Sequence, residues 1–78
     1  QLSVEFSQEA ARQLEQLSGQ NKELREAIID VLQQDPRPAY HKAKTARRIY
    51  GTALFDYNIR WYVEENTVFV EEIAQNTL

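Results

Sequence analysis

The sequence predicts one small α+β domain of order β-α-α-β-β-β, with a helical hairpin packed on an antiparallel sheet. Three observations predict it. Apolar residues recur at helical spacing through most of the first half. They alternate with period two from Phe55 to Val63 and are dense again after Thr67. Seventy-eight residues without cysteine make a single domain over residues 1–78, held by packing alone.

Taken in order, Leu2, Val4 and Phe6 alternate with Ser3 and Glu5, so the chain opens on a short strand. Ser7 follows as an N-cap whose hydroxyl can accept from a first-turn amide, and Glu9 suits the helix dipole there. Ala10, Ala11, Leu14 and Leu17 form the apolar stripe of the first helix, which Gly19 is placed to stop. Leu24, Ala27, Ile28, Val31 and Leu32 mark a second helix, and the short connection makes the pair an antiparallel hairpin. Pro36 turns Asp35 away from helical geometry and Pro38 reinforces the break. From Arg37 to about Thr45 the chain reads as a basic loop. A strand near Arg47–Gly51 follows, then a strong one at Leu54–Glu64, a tight turn at Glu65-Asn66 and a last strand at Thr67–Ala74.

In this arrangement the last three strands form a meander. The helices bury Phe55, Tyr57, Ile59, Trp61 and Val63, which leaves Asp56, Asn58, Arg60 and Tyr62 facing solvent. Whether that polar row is a working surface or only the wet side of a sheet is the functional question.

Composition removes several classes. Without cysteine, and with His41 as the sole histidine, thiolate and His-rich metal sites are excluded, and no metal or cofactor is expected. No apolar run approaches the roughly 18 residues of a membrane span, so no membrane partner is expected and the default location is cytoplasmic. The start at Gln1 points to trimming or processing of the N-terminus. The net charge of −3 hides a partition: residues 1–36 balance to −4, residues 37–60 to +5 and residues 61–78 to −4. A basic middle between acidic ends suggests a local anion-facing surface, the alternative being a solvated basic loop. Adjacent Glu71 and Glu72 point to opposite strand faces, which argues against a paired carboxylate site.

The short strand, helical hairpin, Asp35-Pro36 break, basic loop and the motif Tyr57-Asn58-Ile59-Arg60-Trp61-Tyr62-Val63 resemble the RelE/ParE toxins of bacterial type II toxin–antitoxin systems. The resemblance implies a toxin neutralised by a cognate antitoxin protein. In its RelE-like form the toxin is a metal-independent endoribonuclease, an mRNA interferase acting on RNA at the ribosome. Such cleavage must stabilise a pentavalent phosphate and move protons at both ends. The resemblance gives that work to Arg48, with Arg47 as the register alternative, to Tyr50 on the same face, and to Arg60. Asn58 stands where relatives carry arginine, and Arg60 lies roughly 7 Å further along the strand as its stand-in. Arg47, Lys44, Lys42, His41, Asn58 and Tyr62 are then RNA-binding. The C-terminal Arg, Tyr or His of such sites has no counterpart in Gln75-Asn76-Thr77-Leu78. The ParE-like form instead poisons DNA gyrase without nuclease chemistry. A non-catalytic module holding a peptide on the same sheet, and a domain of a larger secreted toxin, are the further alternatives.

Overall fold

The alternation of Leu2, Val4 and Phe6 becomes strand β1 (Ser3–Phe6) in the computed structural model, which describes residues 1–18, 23–37 and 48–75. Ser7 caps helix α1 (Gln8–Ser18): its Oγ accepts from the Ala10 amide at 3.0 Å. Helix α2 (Glu23–Leu32) buries Leu24, Ile28 and Leu32 along one stripe. The expected cap at Gly19 lies outside the described residues.

After α2, Asp35 takes a left-handed φ of 55°, and its amide donates to the Leu32 carbonyl at 3.0 Å. The Leu2 amide donates to the Gln33 carbonyl, which ties the lead-in of β1 to the end of this helix. Strands β2 (Tyr50–Leu54), β3 (Tyr57–Glu64) and β4 (Thr67–Gln75) complete the fold.

Two expectations about the sheet need correction. The sheet is mixed, with order β1-β4-β3-β2. Its last three strands form the antiparallel meander, but β1 pairs with β4 in parallel. The physical reason is the helical crossover, which leaves β1 free to enter beside the last strand in either direction.

The second correction concerns the long alternating run. It is broken by a two-residue turn at Phe55-Asp56, so the strand expected near Arg47–Gly51 is Tyr50–Leu54 and the next starts at Tyr57. Phe55 is therefore 58% exposed, not buried, and holds a φ of 53° that bulky side chains seldom adopt. The turn at Glu65-Asn66 does form, with positive φ at both residues as a primed hairpin turn requires.

Register assigns the paired strand residues to two faces. On the covered face, Val4, Val68 and Val63 form one row, and Phe6, Val70, Trp61 and Tyr50 the next. Ile73, Ile59 and Thr52 follow, then Gln75, Tyr57 and Leu54. The helices pack on this side and complete a core of Ala10, Leu14, Leu24, Ile28, Leu32, Tyr57, Ile59, Trp61, Val68, Val70 and Ile73. The Trp61 indole N–H donates to Thr52 Oγ1 at 2.9 Å, so the buried ring leaves no donor unpaired.

A bulge in β4 connects sheet to helix. Arg60 pairs with Glu72 and Trp61 with Val70, which leaves Glu71 as the extra residue. Backbone groups beside the bulge find partners on α1 and its cap. The Ser7 hydroxyl donates to the Glu71 carbonyl at 2.8 Å, and the Ile73 amide donates to Gln13 Oε1 at 2.6 Å. Ser7 thus caps a helix and anchors it to the sheet with one oxygen.

Candidate nucleic-acid interface

The open face carries four cross-strand rows. Ser3, Thr67 and Glu64 form the first, and Glu5, Phe69 and Tyr62 the second. Glu72, Arg60 and Gly51 form the third, and Ala74, Asn58 and Ala53 the fourth. Asn58, Arg60 and Tyr62 therefore do share the face turned away from the helices, two residues apart along β3. Asp56 does not join them, because it lies in the turn.

The rows differ in chemistry. In the second, the rings of Tyr62 and Phe69 stack on each other with centroids 5.2 Å apart, beside Glu5. In the third and fourth, β2 contributes only Gly51 and Ala53, and β4 contributes Glu72 and Ala74. Small residues on both sides leave Asn58 standing over a low shelf, and Arg60 has Gly51 on one side and Glu72 on the other. The Asn58 amide lies over Gly51, with Oδ1 3.4 Å and Nδ2 3.6 Å from the place a Cβ would occupy there. Arg60 reaches Glu72 at 3.4 Å with both side chains about half exposed, an ion pair of little net strength.

A second region lies where α2 gives way to the basic segment. Arg37 grips both Asp35 carboxylate oxygens through Nε and Nη2, at 2.7 and 2.8 Å, with both side chains largely buried. The hydrogen bond to Asp35 holds the Arg37 guanidinium above its ordinary range, against the opposing effect of burial. Its charge is thereby committed to the fold. Arg48 is exposed and immediately precedes Ile49 and β2. His41, Lys42, Lys44 and Arg47, all expected to contact RNA, lie outside the described residues.

The three residues implied as a cleavage centre are not brought together. Tyr50 lies on the covered face, its ring stacked on Trp61 at 4.7 Å, whereas Arg60 faces the open side. Tyr50 pairs with Trp61, the residue after Arg60, and successive strand residues point to opposite faces. Arg48 precedes the strand. Reading the sequence also missed Gly51, Ala53 and Ala74 as parts of a site. The signal for them was the turn at Phe55-Asp56, which once placed sets Gly51 opposite Arg60 and Ala53 opposite Asn58.

Comparison with known proteins gives a different family from the one the motifs suggested. Residues 1–76 match the family model described as the TrmO C-terminal domain. A tRNA (adenine(37)-N6)-methyltransferase of Escherichia coli (strain K12) is 38% identical over 65 residues, covering 83% of this chain and 28% of that protein. A provisionally named S-adenosylmethionine-dependent methyltransferase of Pseudomonas aeruginosa, RcsF, is 39% identical over 75 residues, covering 94% of this chain and 32% of that protein. The chain thus spans about a third of the length of these relatives. No solved structure matches it.

These findings overturn the resemblance to RelE/ParE toxins, and with it the toxin function, the mRNA interferase and gyrase activities, the antitoxin and the ribosomal target. The shared features were generic: a helical hairpin on a small sheet with a basic loop is a packing solution open to many sequences.

Proposed function

The chain belongs to the TrmO C-terminal domain family, and from that membership we propose that it is the RNA-engaging part of a tRNA methyltransferase. The observation that carries the reading is the charge partition of a domain whose relative is named as a tRNA methyltransferase. Residues 37–48 hold Arg37, Lys42, Lys44, Arg47 and Arg48 and no acid, in a chain that is otherwise acidic. A folded tRNA is a polyanion, and clustered guanidinium and ammonium groups bind it by displacing condensed counterions.

Lys42, Lys44, Arg47 and Arg48 are the groups assigned to phosphate, and Arg37 is the group that grips Asp35. Arginine forks suit phosphate oxygens, and the lysines add point charge. The methyl donor is assigned to the rest of a longer enzyme. This chain matches only 28% and 32% of the length of the relatives named as methyltransferases. A tRNA substrate also fits the cytoplasmic location expected from composition. Among the described residues, no helix is long and apolar enough to cross a membrane.

Titration of fluorescent tRNA with the protein at several salt concentrations tests the reading. Arg48→Ala and Lys44→Ala are expected to weaken binding by similar factors for different tRNAs. Each lost phosphate contact should reduce the slope of log affinity against log salt by about 1. Absence of tRNA binding, or a slope indifferent to these substitutions, would overturn it.

A further inference from the structure

We infer that the shelf formed by Gly51, Ala53 and Ala74 around Asn58 is a reading site for one unpaired nucleobase, adenine by preference, with Arg60 on its adjoining phosphate. The inference rests on the reading that this domain engages tRNA. It adds a second contact, one with sequence information where phosphate contacts carry none.

Three features of the open face support it. The first is low relief: the three flanking positions have the smallest side chains on the sheet, and the Asn58 amide rests over Gly51, its Oδ1 3.4 Å from the place a Cβ would occupy. The second is an amide in need of partners. Asn58 is half-buried, yet among the described residues its side chain makes no hydrogen bond. An amide offers a donor and an acceptor side by side, the pattern that pairs with N7 and N6 of adenine. The third is charge. Arg60 stands roughly 7 Å along the strand from Asn58, about the separation of a base from its neighbouring phosphate. Its long, exposed link to Glu72 is weak enough to exchange for a phosphate.

The surroundings bound the footprint. Beyond Arg60, Tyr62 and Phe69 stack on each other, with Glu5 and Glu64 beside them repelling a polynucleotide backbone. On the other side, the hairpin tip holds Phe55, 58% exposed and available for stacking. The strand is thereby confined to about one nucleotide on the sheet. Neither Asn58 nor Arg60 offers a general base or nucleophile at neutral pH, so the shelf reads a base and does not react with it.

Fluorescence anisotropy with labelled seven-nucleotide single-stranded RNAs, oligo(A) and oligo(U), tests the inference. The wild-type protein is expected to prefer oligo(A). Asn58→Ala and Gly51→Val, which removes the amide or fills the shelf, should each lower oligo(A) affinity about tenfold and erase the preference. Their salt slope should stay that of the wild type, whereas Arg48→Ala should weaken both RNAs equally and flatten the slope. Circular dichroism on each variant separates loss of reading from loss of fold, and Asn58→Ala carries no steric risk. Equal binding of both RNAs by the wild type, or folded Asn58 and Gly51 variants that retain the preference, would overturn the shelf. In either case, tRNA binding that still responds to Arg48→Ala leaves the tRNA reading standing. Loss of all RNA binding by the wild type would bring down both.

Discussion

The two faces of the sheet are built from alternate residues of the same strands, and they do opposite things. On the covered face Trp61, Ile59, Val68 and Val70 are almost wholly removed from water, and the one polar group on Trp61 has a partner. On the open face, Arg60 holds only a long exposed ion pair, and the Asn58 side chain has no hydrogen bond among the described residues. Arg60 and Trp61 are neighbours in sequence, yet Trp61 is placed in the core and Arg60 is the residue proposed to bind. Strand parity thus separates the positions where a substitution should cost stability from those where it should cost recognition.

The largest effect expected from that separation is at Trp61. Trp61→Ala removes a side chain only 2% exposed, its hydrogen bond to Thr52 and its stacking on Tyr50. Unfolding in urea followed by circular dichroism should show a loss of about 3–5 kcal/mol. A loss below about 1 kcal/mol would mean that the covered face is not the core of the domain. A middle effect is expected where helix meets bulge. Ser7→Ala deletes the N-cap and leaves the Glu71 carbonyl without its donor. The same measurement should show a loss of about 1–2 kcal/mol. Ser3→Ala, on the open face of β1, should stay within about 0.5 kcal/mol.

Much of this division was legible in the residues. The alternation Tyr57, Ile59, Trp61 against Asn58, Arg60, Tyr62 gave both faces of β3 directly, because a half-buried strand has a period of two. The Ser7 cap and the Glu65-Asn66 turn were legible because short polar side chains and positive φ leave local signatures. Phe55 was misread because the alternation runs through it without interruption. Its turn lacks the glycine or asparagine that normally supplies a left-handed residue, so local chemistry gave no warning. The bulge at Glu71 had a signal that went unused. Val68 and Val70 share one parity and Ile73 has the other, so all three reach the core only if a residue is inserted between them. The parallel pairing of β1 was not legible, since a long helical crossover permits either direction. The shelf was hidden for a related reason. It exists only through cross-strand partners, and one misplaced turn changes every partner on β2.

The smallest stability effect falls on the open face, and it sharpens the comparison most. Arg60→Ala and Glu72→Gln each break an exposed pair at 3.4 Å, so each should shift unfolding by less than about 0.5 kcal/mol. Their effects on RNA should have opposite signs. Removing Arg60 deletes the cation assigned to phosphate and weakens oligo(A) binding. Neutralising Glu72 frees that cation and removes a repulsive charge, which should strengthen binding by about twofold or more at low salt. The gain should fade as salt screens the exposed charges. A merely solvated face would give two variants indistinguishable from the wild type in both stability and RNA affinity. Two equally stable proteins with RNA affinities displaced in opposite directions would instead make Arg60 a binding residue held in reserve by Glu72.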